Sequence, residues 1–324
     1  MEKCLDQIDA ALALRAPLLA DPTLTACRLF NGQADGVAGL VVEKLADILI
    51  VQFHEDRLQL DLDTVRTLAT HVHRQLGTRA VYRKMFLRDR AYLPEQIVQL
   101  HRDAQPWIGE NVSPQIVVEE FGQRMRVRPY DGFSVGLFLE HRENRRRIRE
   151  LAPGRRVLNT FSYTGGFSVA AALGGATTVD SVDLSKRYLE WSKSNFAENG
   201  ISLDNHRFFC SDVFDFYRRA TRQDRRYDLI VLDPPTFARL NHPKRVFRIE
   251  DQLENLVAGA VDRLNPEGII LLATNHRDLS ADHLAAALRT GAEDRACTVL
   301  DQPRLPLDFA GDPDYSKTVL ARYD

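Results

Sequence analysis

Residues 228–237 read Asp-Leu-Ile-Val-Leu-Asp-Pro-Pro-Thr-Phe, an apolar run of strand length that ends on an acid and two prolines. Upstream, residues 157–166 read Val-Leu-Asn-Thr-Phe-Ser-Tyr-Thr-Gly-Gly, a second strand that enters a small-residue turn ahead of a helix. Between them, Val179 to Asp183 is a third short strand, tipped with a carboxylate. A strand, a glycine turn, a helix and an acid-tipped strand together make a nucleotide-type cofactor site.

The pattern around these stretches alternates. Helices are expected over residues 140–150, 167–173, 184–199, 213–219, 249–264 and 281–290. Strands are expected near 157–158, 178–182, 206–209, 229–232, 269–273, 298–300 and 317–321. Such alternation predicts an α/β, doubly wound, mainly parallel sheet of seven strands over residues 131–324. Ligands of such sheets sit at the carboxyl ends of the strands, where the quoted acids lie. Residues 1–130 read as a smaller α+β domain. It opens with an amphipathic helix over 1–25 carrying Leu5, Ile8, Leu12 and Leu14 on or near one face. A hairpin of Leu40–Val42 with Ile48–Val51, a helix over 61–77, a strand over 80–82, loops with short elements over 92–113 and a hairpin of 116–119 with 125–128 follow.

Composition narrows the class. The chain has 324 residues, 44% hydrophobic and 27% charged, enough for two domains with large cores. No apolar run reaches the ~20 residues of a membrane span, and the N-terminus lacks a signal-peptide pattern. Cys4, Cys27, Cys210 and Cys297 show no Cys-x-x-Cys spacing, which argues against a zinc site and for a reducing, cytoplasmic setting, and no metal is expected. The net charge of −2 means that any nucleic-acid partner must be met by local patches. Four basic clusters are candidates: Arg83, Lys84, Arg88 and Arg90; Arg142 with Arg145 to Arg149; Arg218 to Arg226; and Lys244, Arg245 and Arg248. The oligomeric state is not legible.

The turn Phe161 to Gly165 is neither a dinucleotide Gly-x-Gly-x-x-Gly nor a P-loop. Asp183 follows Gly165 at close to the ~20-residue spacing of an acid that binds ribose hydroxyls. Asp212 follows the next strand and is placed to meet an adenine amino group. Each acid, taken alone, also suits a helix cap.

Four stretches carry a resemblance: Leu137-Phe138-Leu139-Glu140-His141-Arg142, Leu158 to Gly165, Tyr188-Leu189-Glu190-Trp191 and Asp233-Pro234-Pro235-Thr236-Phe237. In combination they resemble the S-adenosylmethionine (SAM)-dependent methyltransferases of 23S ribosomal RNA. The pattern is most similar to the guanine-N7 half of the bifunctional 23S rRNA guanine methyltransferase, with the cytosine-C5 enzymes as relatives. The resemblance is strong over residues 131–280 and weak over 26–130. It implies a Rossmann-like class I fold with SAM as cofactor and rRNA, free or in a precursor particle, as partner. It implies that Arg142 reaches the methionine carboxylate and that Phe161, Ser162, Tyr163, Thr164 and Gly165 wrap the amino-acid part. Asp183 would hold the ribose, and Asp212 with Val213 the adenine; Asn159 and Leu184 join this set. Asp233, Pro234, Pro235, Phe237 and Asn275 would face the reacting base, and Arg83, Lys84, Lys244 and Arg245 the RNA.

The target atom is read from what is missing. Carbon 5 of a pyrimidine needs a cysteine thiolate to activate it, and Ala273-Thr274-Asn275-His276-Arg277, where the cytosine enzymes carry that cysteine, has none. Cys210, at a strand end, is expected to be a buried apolar side chain. Guanine N7 has an available lone pair and needs only placement. Enzymes acting on exocyclic amines usually carry an aromatic directly after the second proline, where this chain has Thr236. Phe237 suits either stacking on a base or core packing; Asn275 suits a base contact and His276 a phosphate contact, or each a neutral loop cap; Asn241 to Arg248 suits a basic loop. The rival functions are a cytosine-C5-like enzyme, a degenerate fold serving as an RNA-binding assembly factor, and a small-molecule methyltransferase.

Overall fold

The computed structural model describes the backbone of residues 1–87, 94–241, 244–292 and 294–324, and the side chains of all these except 239–241 and 244–245. The expected contacts at Arg88 and Arg90 fall outside the described residues, as do the side chains of Lys244 and Arg245. The chain packs as two compact units, Met1–Leu139 with Pro306–Asp312, and Glu140–Leu305 with Pro313–Asp324. The division thus falls nine residues later than the expected 130, and a late segment joins the first unit. Hydrogen bonds explain both shifts. Arg128 N donates to Val135 O, folding residues 128–135 back into the first unit. Asp308 Oδ2 accepts Arg28 N at 2.9 Å, while the Arg28 guanidinium lies 4.3 Å from the Phe309 ring centre.

The first unit contains α1 (Glu2–Leu14), α2 (Ala16–Ala20), β1 (Ala26–Asn31), β2 (Leu40–Leu45), β3 (Ile48–His54), α3 (Leu62–Leu76), β4 (Ala80–Phe86), α4 (Glu95–Arg102), β5 (Ile108–Gly109), β6 (Ile116–Glu120) and β7 (Gln123–Val127). Strands β1 to β5 form one sheet in sequence order, and β6 and β7 a hairpin. Ile8 and Leu12 of α1 and Val65, Leu68 and Val72 of α3 pack on Leu29 and Val51. The single opening helix expected over 1–25 is split at Arg15. That residue is fully buried, and its guanidinium pairs with Asp35 at 2.7 Å and donates to Asp308 O.

The second unit contains α5 (Arg142–Leu151), β8 (Arg156–Thr160), α6 (Gly166–Leu173), β9 (Thr178–Asp183), α7 (Lys186–Glu198), β10 (His206–Cys210), α8 (Val213–Arg222), β11 (Tyr227–Leu232), β12 (Phe237–Asn241), β13 (Lys244–Arg248), α9 (Ile249–Val261), β14 (Leu264–Thr274), α10 (Ala281–Thr290), β15 (Cys297–Asp301) and β16 (Lys317–Tyr323). Its seven-stranded sheet runs β10-β9-β8-β11-β14-β16-β15. Strand β16 is antiparallel to both neighbours, and the first five strands are parallel. Val157, Leu158, Leu229 to Leu232 and Ile270 to Leu272 are completely buried, as continuous apolar strands covered on both faces must be. This is the expected Rossmann-like class I α/β fold. Strand order reverses between β8 and β11, so the ligand crevice of the sheet opens at their carboxyl ends. Within the stretch Asn241 to Arg248, expected as a loop, residues 241 and 244–248 instead lie in the antiparallel strands β12 and β13, which pair Phe237 with Arg248. Among the described residues no helix is long and apolar enough to cross a membrane.

Candidate functional site

The turn after β8 is strained in a specific way. Phe161 and Tyr163 hold φ of 52° and 49°, and Gly165 holds 82°. Two non-glycine residues in the left-handed region cost of order 1–3 kcal/mol each, and the surroundings must hold them there. Ser162 N donates to Val182 O at 2.9 Å, and Asn195 Nδ2 donates to Thr164 O at 2.8 Å. Asp183, at the end of β9, accepts Tyr163 N through Oδ2 and Ser185 N through Oδ1, both at 2.8 Å. Burial pushes the Asp183 carboxyl above its usual range, and the two backbone N–H groups counter that only in part. A side chain at 165 would meet the Ser192 hydroxyl, so glycine is needed for space as well as for φ.

Phe161, Asp183, Leu184, Asp212, Val213 and Phe247 line one pocket beside this turn. Asp212 caps α8, accepting Phe214 N at 2.9 Å and Asp215 N at 3.2 Å through Oδ1. Cap and pocket wall are therefore compatible roles for it, with Oδ2 outside the cap. Phe247 was not singled out in the sequence, where it sits inside a basic run. It is buried, with its ring centre 5.5 Å from that of Phe161, so the hairpin supplies one pocket wall.

Deeper in the turn, Asn159 Nδ2 donates to Ser168 Oγ at 2.8 Å. Asn159 Oδ1 and Ser162 Oγ are buried with no hydrogen-bond partner among the described residues. Unpaired buried oxygens of this kind fit a ligand that brings N–H donors. Arg142, on the first turn of α5, is 1% exposed and is not a solvated surface charge.

Asp233 directly follows β11 beside this turn, since β8 and β11 are neighbours and Leu232 pairs with Thr160. Its carboxylate is 23% exposed, and its Oδ2 lies 3.3 Å from Nε2 of the buried His141. The ring of His141 is held at Nδ1 by Asn144. Burial works against a charge on His141, but the charge and hydrogen bond of Asp233, helped by Glu140, outweigh it and raise its pKa. Pro234 is buried and Pro235 exposed. Phe237 is 44% exposed, which rules out its core reading, and the Arg248 guanidinium lies 6.0 Å from its ring centre. Asn275 is exposed just past β14. His276 Nε2 lies 2.6 Å from Glu250, and its Nδ1 accepts Asp278 N at 3.3 Å, which fits the loop-cap reading of this residue. Among the described residues one group, Glu250, His276 and Asp278, brings possible metal-ligating atoms within 4.8 Å of one another.

Several expectations are corrected. Lys84 is 1% exposed, and its ammonium donates to His101 O and Gly132 O, so it braces the first unit and presents no charge to RNA. Burial brings its pKa down to about 8. Arg83 is half-buried over Trp107, 5.3 Å from the ring centre. Arg225, like Arg207 outside the clusters, binds the buried Asp180, and Arg146 and Arg147 make exposed pairs with Glu143 and Glu150, so part of the charge in these clusters is already paired. Cys210 is exposed where a buried side chain was expected, and its thiol donates to Leu184 O at 3.3 Å.

Comparison with known proteins agrees with this geometry. The family described as S-adenosylmethionine-dependent methyltransferase matches residues 28–313. The chain is 36% identical over 223 residues to ribosomal RNA large subunit methyltransferase K of Neisseria meningitidis, covering 67% of this chain and 61% of that protein. It is 35% identical over 290 residues to a ribosomal RNA large subunit methyltransferase of Deinococcus radiodurans, covering 87% and 68%. It thus spans less than two thirds of the Neisseria protein's length. The crystal structure of SMU.776 complexed with SAH superposes with a TM-score of 0.86 at 28% identity, covering 98% of this chain and 80% of that one. The fold, the glycine turn and the family match converge: this chain belongs to the S-adenosylmethionine-dependent methyltransferase family, with SAM as its cofactor.

Proposed function

We propose that this enzyme transfers the methyl group of SAM to guanine N7 in the large-subunit, 23S ribosomal RNA. The observation that carries the reading is the placement of Asp233-Pro234-Pro235 at the strand-order reversal, one strand from the cofactor turn, with Phe237 exposed just beyond it. The names of the Neisseria and Deinococcus relatives support rRNA as the substrate class.

When bound, SAM supplies an electrophilic methyl group. The chain's own residues hold the reactants. Asn159 Oδ1 and Ser162 Oγ fit the methionine ammonium, and Arg142 its carboxylate. Asp183 accepts from the ribose hydroxyls, and Asp212 and Val213 border the adenine. Asp233 orients the base, and the two prolines stiffen the loop that faces it. Phe237 stacks on a base of the RNA, which must be unstacked to enter. N7 already offers a lone pair, so the residues need to align it and no base need remove a proton.

The cysteines of this unit do not serve a C5 mechanism. Cys210 ends β10, three strands from β11, or ~14 Å at ~4.8 Å per strand. Cys297 opens β15, at the opposite end of the sheet from Asp233. Incubating unmodified 23S rRNA with the protein and methyl-labelled SAM, followed by nucleoside mass spectrometry, tests the reading. Labelled 7-methylguanosine is expected. 5-Methylcytidine, or no product despite SAM binding, would refute it in favour of the cytosine or assembly-factor alternative.

A further inference from the structure

A buried chain of side chains ends at the acceptor loop. Asn144 Nδ2 donates to Thr318 Oγ1 at 2.8 Å and lies 3.0 Å from His141 Nδ1. His141 Nε2 in turn lies 3.3 Å from Asp233 Oδ2. Thr318, Asn144 and His141 are each about 5% exposed or less, and the Phe167 ring centre lies 5.5 Å from that of His141. The imidazole is thus fixed at one nitrogen by β16 through Asn144, and at one side by α6.

The hydrogen-bond inventory sets the direction. Asn144 uses its amide N–H groups on Thr318 and on His141 Nδ1, so Nδ1 accepts and Nε2 carries the proton that faces Asp233. A partly exposed carboxylate would otherwise sample several rotamers, and fixing it in advance removes that ordering cost from the reaction. Oδ2 is engaged by the ring, while Oδ1 has no partner among the described residues.

We propose that His141 is a positioning residue for methyl transfer, pinning Asp233 through Oδ2 so that Oδ1 is presented to an N–H of the acceptor base. This rests on the reading of Asp233 as the residue that orients that base. The charged groups that face His141 are Asp233, Glu140 and Arg145; the first two favour its protonation and the third opposes it. A second proton on the ring goes to Nδ1, where the Asn144 amide must turn to present its oxygen, and the imidazolium then makes the stronger, charge-assisted bond to Asp233. The rate therefore carries the titration of His141, with an inflection above pH 6.5, its ordinary value.

Single-turnover methyl transfer to rRNA at saturating SAM, over a range of pH, tests this in wild type, His141→Ala, His141→Gln and Asp233→Asn, with SAM affinity measured by calorimetry. His141→Ala should slow transfer roughly 10²-fold, the scale of a small misplacement at the reacting centre, with SAM affinity unchanged. His141→Gln, whose amide can still donate to Asp233, should recover much of the rate and lack the inflection. A wild-type rate in His141→Ala overturns the inference. So do equal losses of rate and SAM affinity in both His141 variants, which would mark a purely structural role. If neither variant folds, a wild-type profile without the inflection overturns it. Asp233→Asn separates the two readings: a wild-type rate there refutes the role of Asp233 itself, while a slow Asp233→Asn beside an unimpaired His141→Ala refutes only the pinning.

Discussion

Asp183 Oδ2 accepts the backbone N–H of Tyr163 at 2.8 Å, so the acid that closes β9 also holds the cofactor turn that follows β8. One carboxylate thereby has two tasks, to stabilise a left-handed backbone and to face the ribose. Asp183→Ala should weaken SAM binding by ~1.5–3 kcal/mol, the scale of a hydrogen bond to a charged group. Calorimetric titration of the folded variant checks it, and unchanged affinity would remove Asp183 from the site.

The pH dependence of SAM affinity follows from the same residue. Burial raises the Asp183 pKa above 3.8, and the ionised form accepts from ribose. Affinity should hold at neutral pH and fall as the pH drops through the raised value, sooner than for an ordinary aspartate. Titrations from pH 8 downward should show this slope in wild type, and a flat response over the same acid range in Asp183→Asn would attribute it to Asp183.

Gly165→Ala places a side chain at φ 82° against Ser192. The strain should cost ~1–3 kcal/mol and disturb the turn, so that both thermal stability and SAM affinity drop. Pairing it with Ser192→Gly relieves only the collision, so partial recovery in the double variant is expected. Full recovery would mean that the backbone angle is of no consequence.

Phe237 is exposed, and its truncation should barely alter stability, within about 0.5 kcal/mol. Loss of base stacking would weaken RNA binding by ~1–3 kcal/mol in Phe237→Ala. Filter binding beside a melting curve separates these effects; unchanged RNA affinity would leave Phe237 without the stacking role.

Replacing all four cysteines should leave methyl transfer intact, since neither Cys210 nor Cys297 lies near Asp233 along the sheet. The folded variant, assayed beside wild type on rRNA containing 5-fluorocytosine, should keep its rate. A covalent adduct formed by wild type and lost in the variant would restore the cytosine-C5 mechanism.

Most of the catalytic fold was legible because its signals are local. Continuous apolar strands such as Leu229–Leu232 have no other home than a sheet covered on both faces. The turn at Gly165 and the acid at Asp183 show themselves by residue type and spacing. What stayed hidden depended on distant partners. Lys84 reads as one more surface cation until His101 O and Gly132 O take its ammonium. Cys210 reads as a buried strand residue, yet it lies on the edge strand of the sheet and is exposed. The pairing of His141 with Asp233 joins residues far apart in sequence, and no periodicity announces it. The hairpin β12–β13 escaped because its strands are rich in arginine and carry few of the β-branched residues that mark a strand.

The most direct measurement exploits the chemistry of the product. Methylation at N7 leaves a fixed positive charge and a labile glycosidic bond, so borohydride and aniline cleave the RNA at that nucleotide. After incubation of unmodified 23S rRNA with the protein and SAM, one new cleavage site at a guanine is expected. Asp233→Ala should abolish it while SAM binding persists. Methyl incorporation with no aniline-sensitive site would contradict guanine N7 as the target and point to an exocyclic nitrogen or a ring carbon.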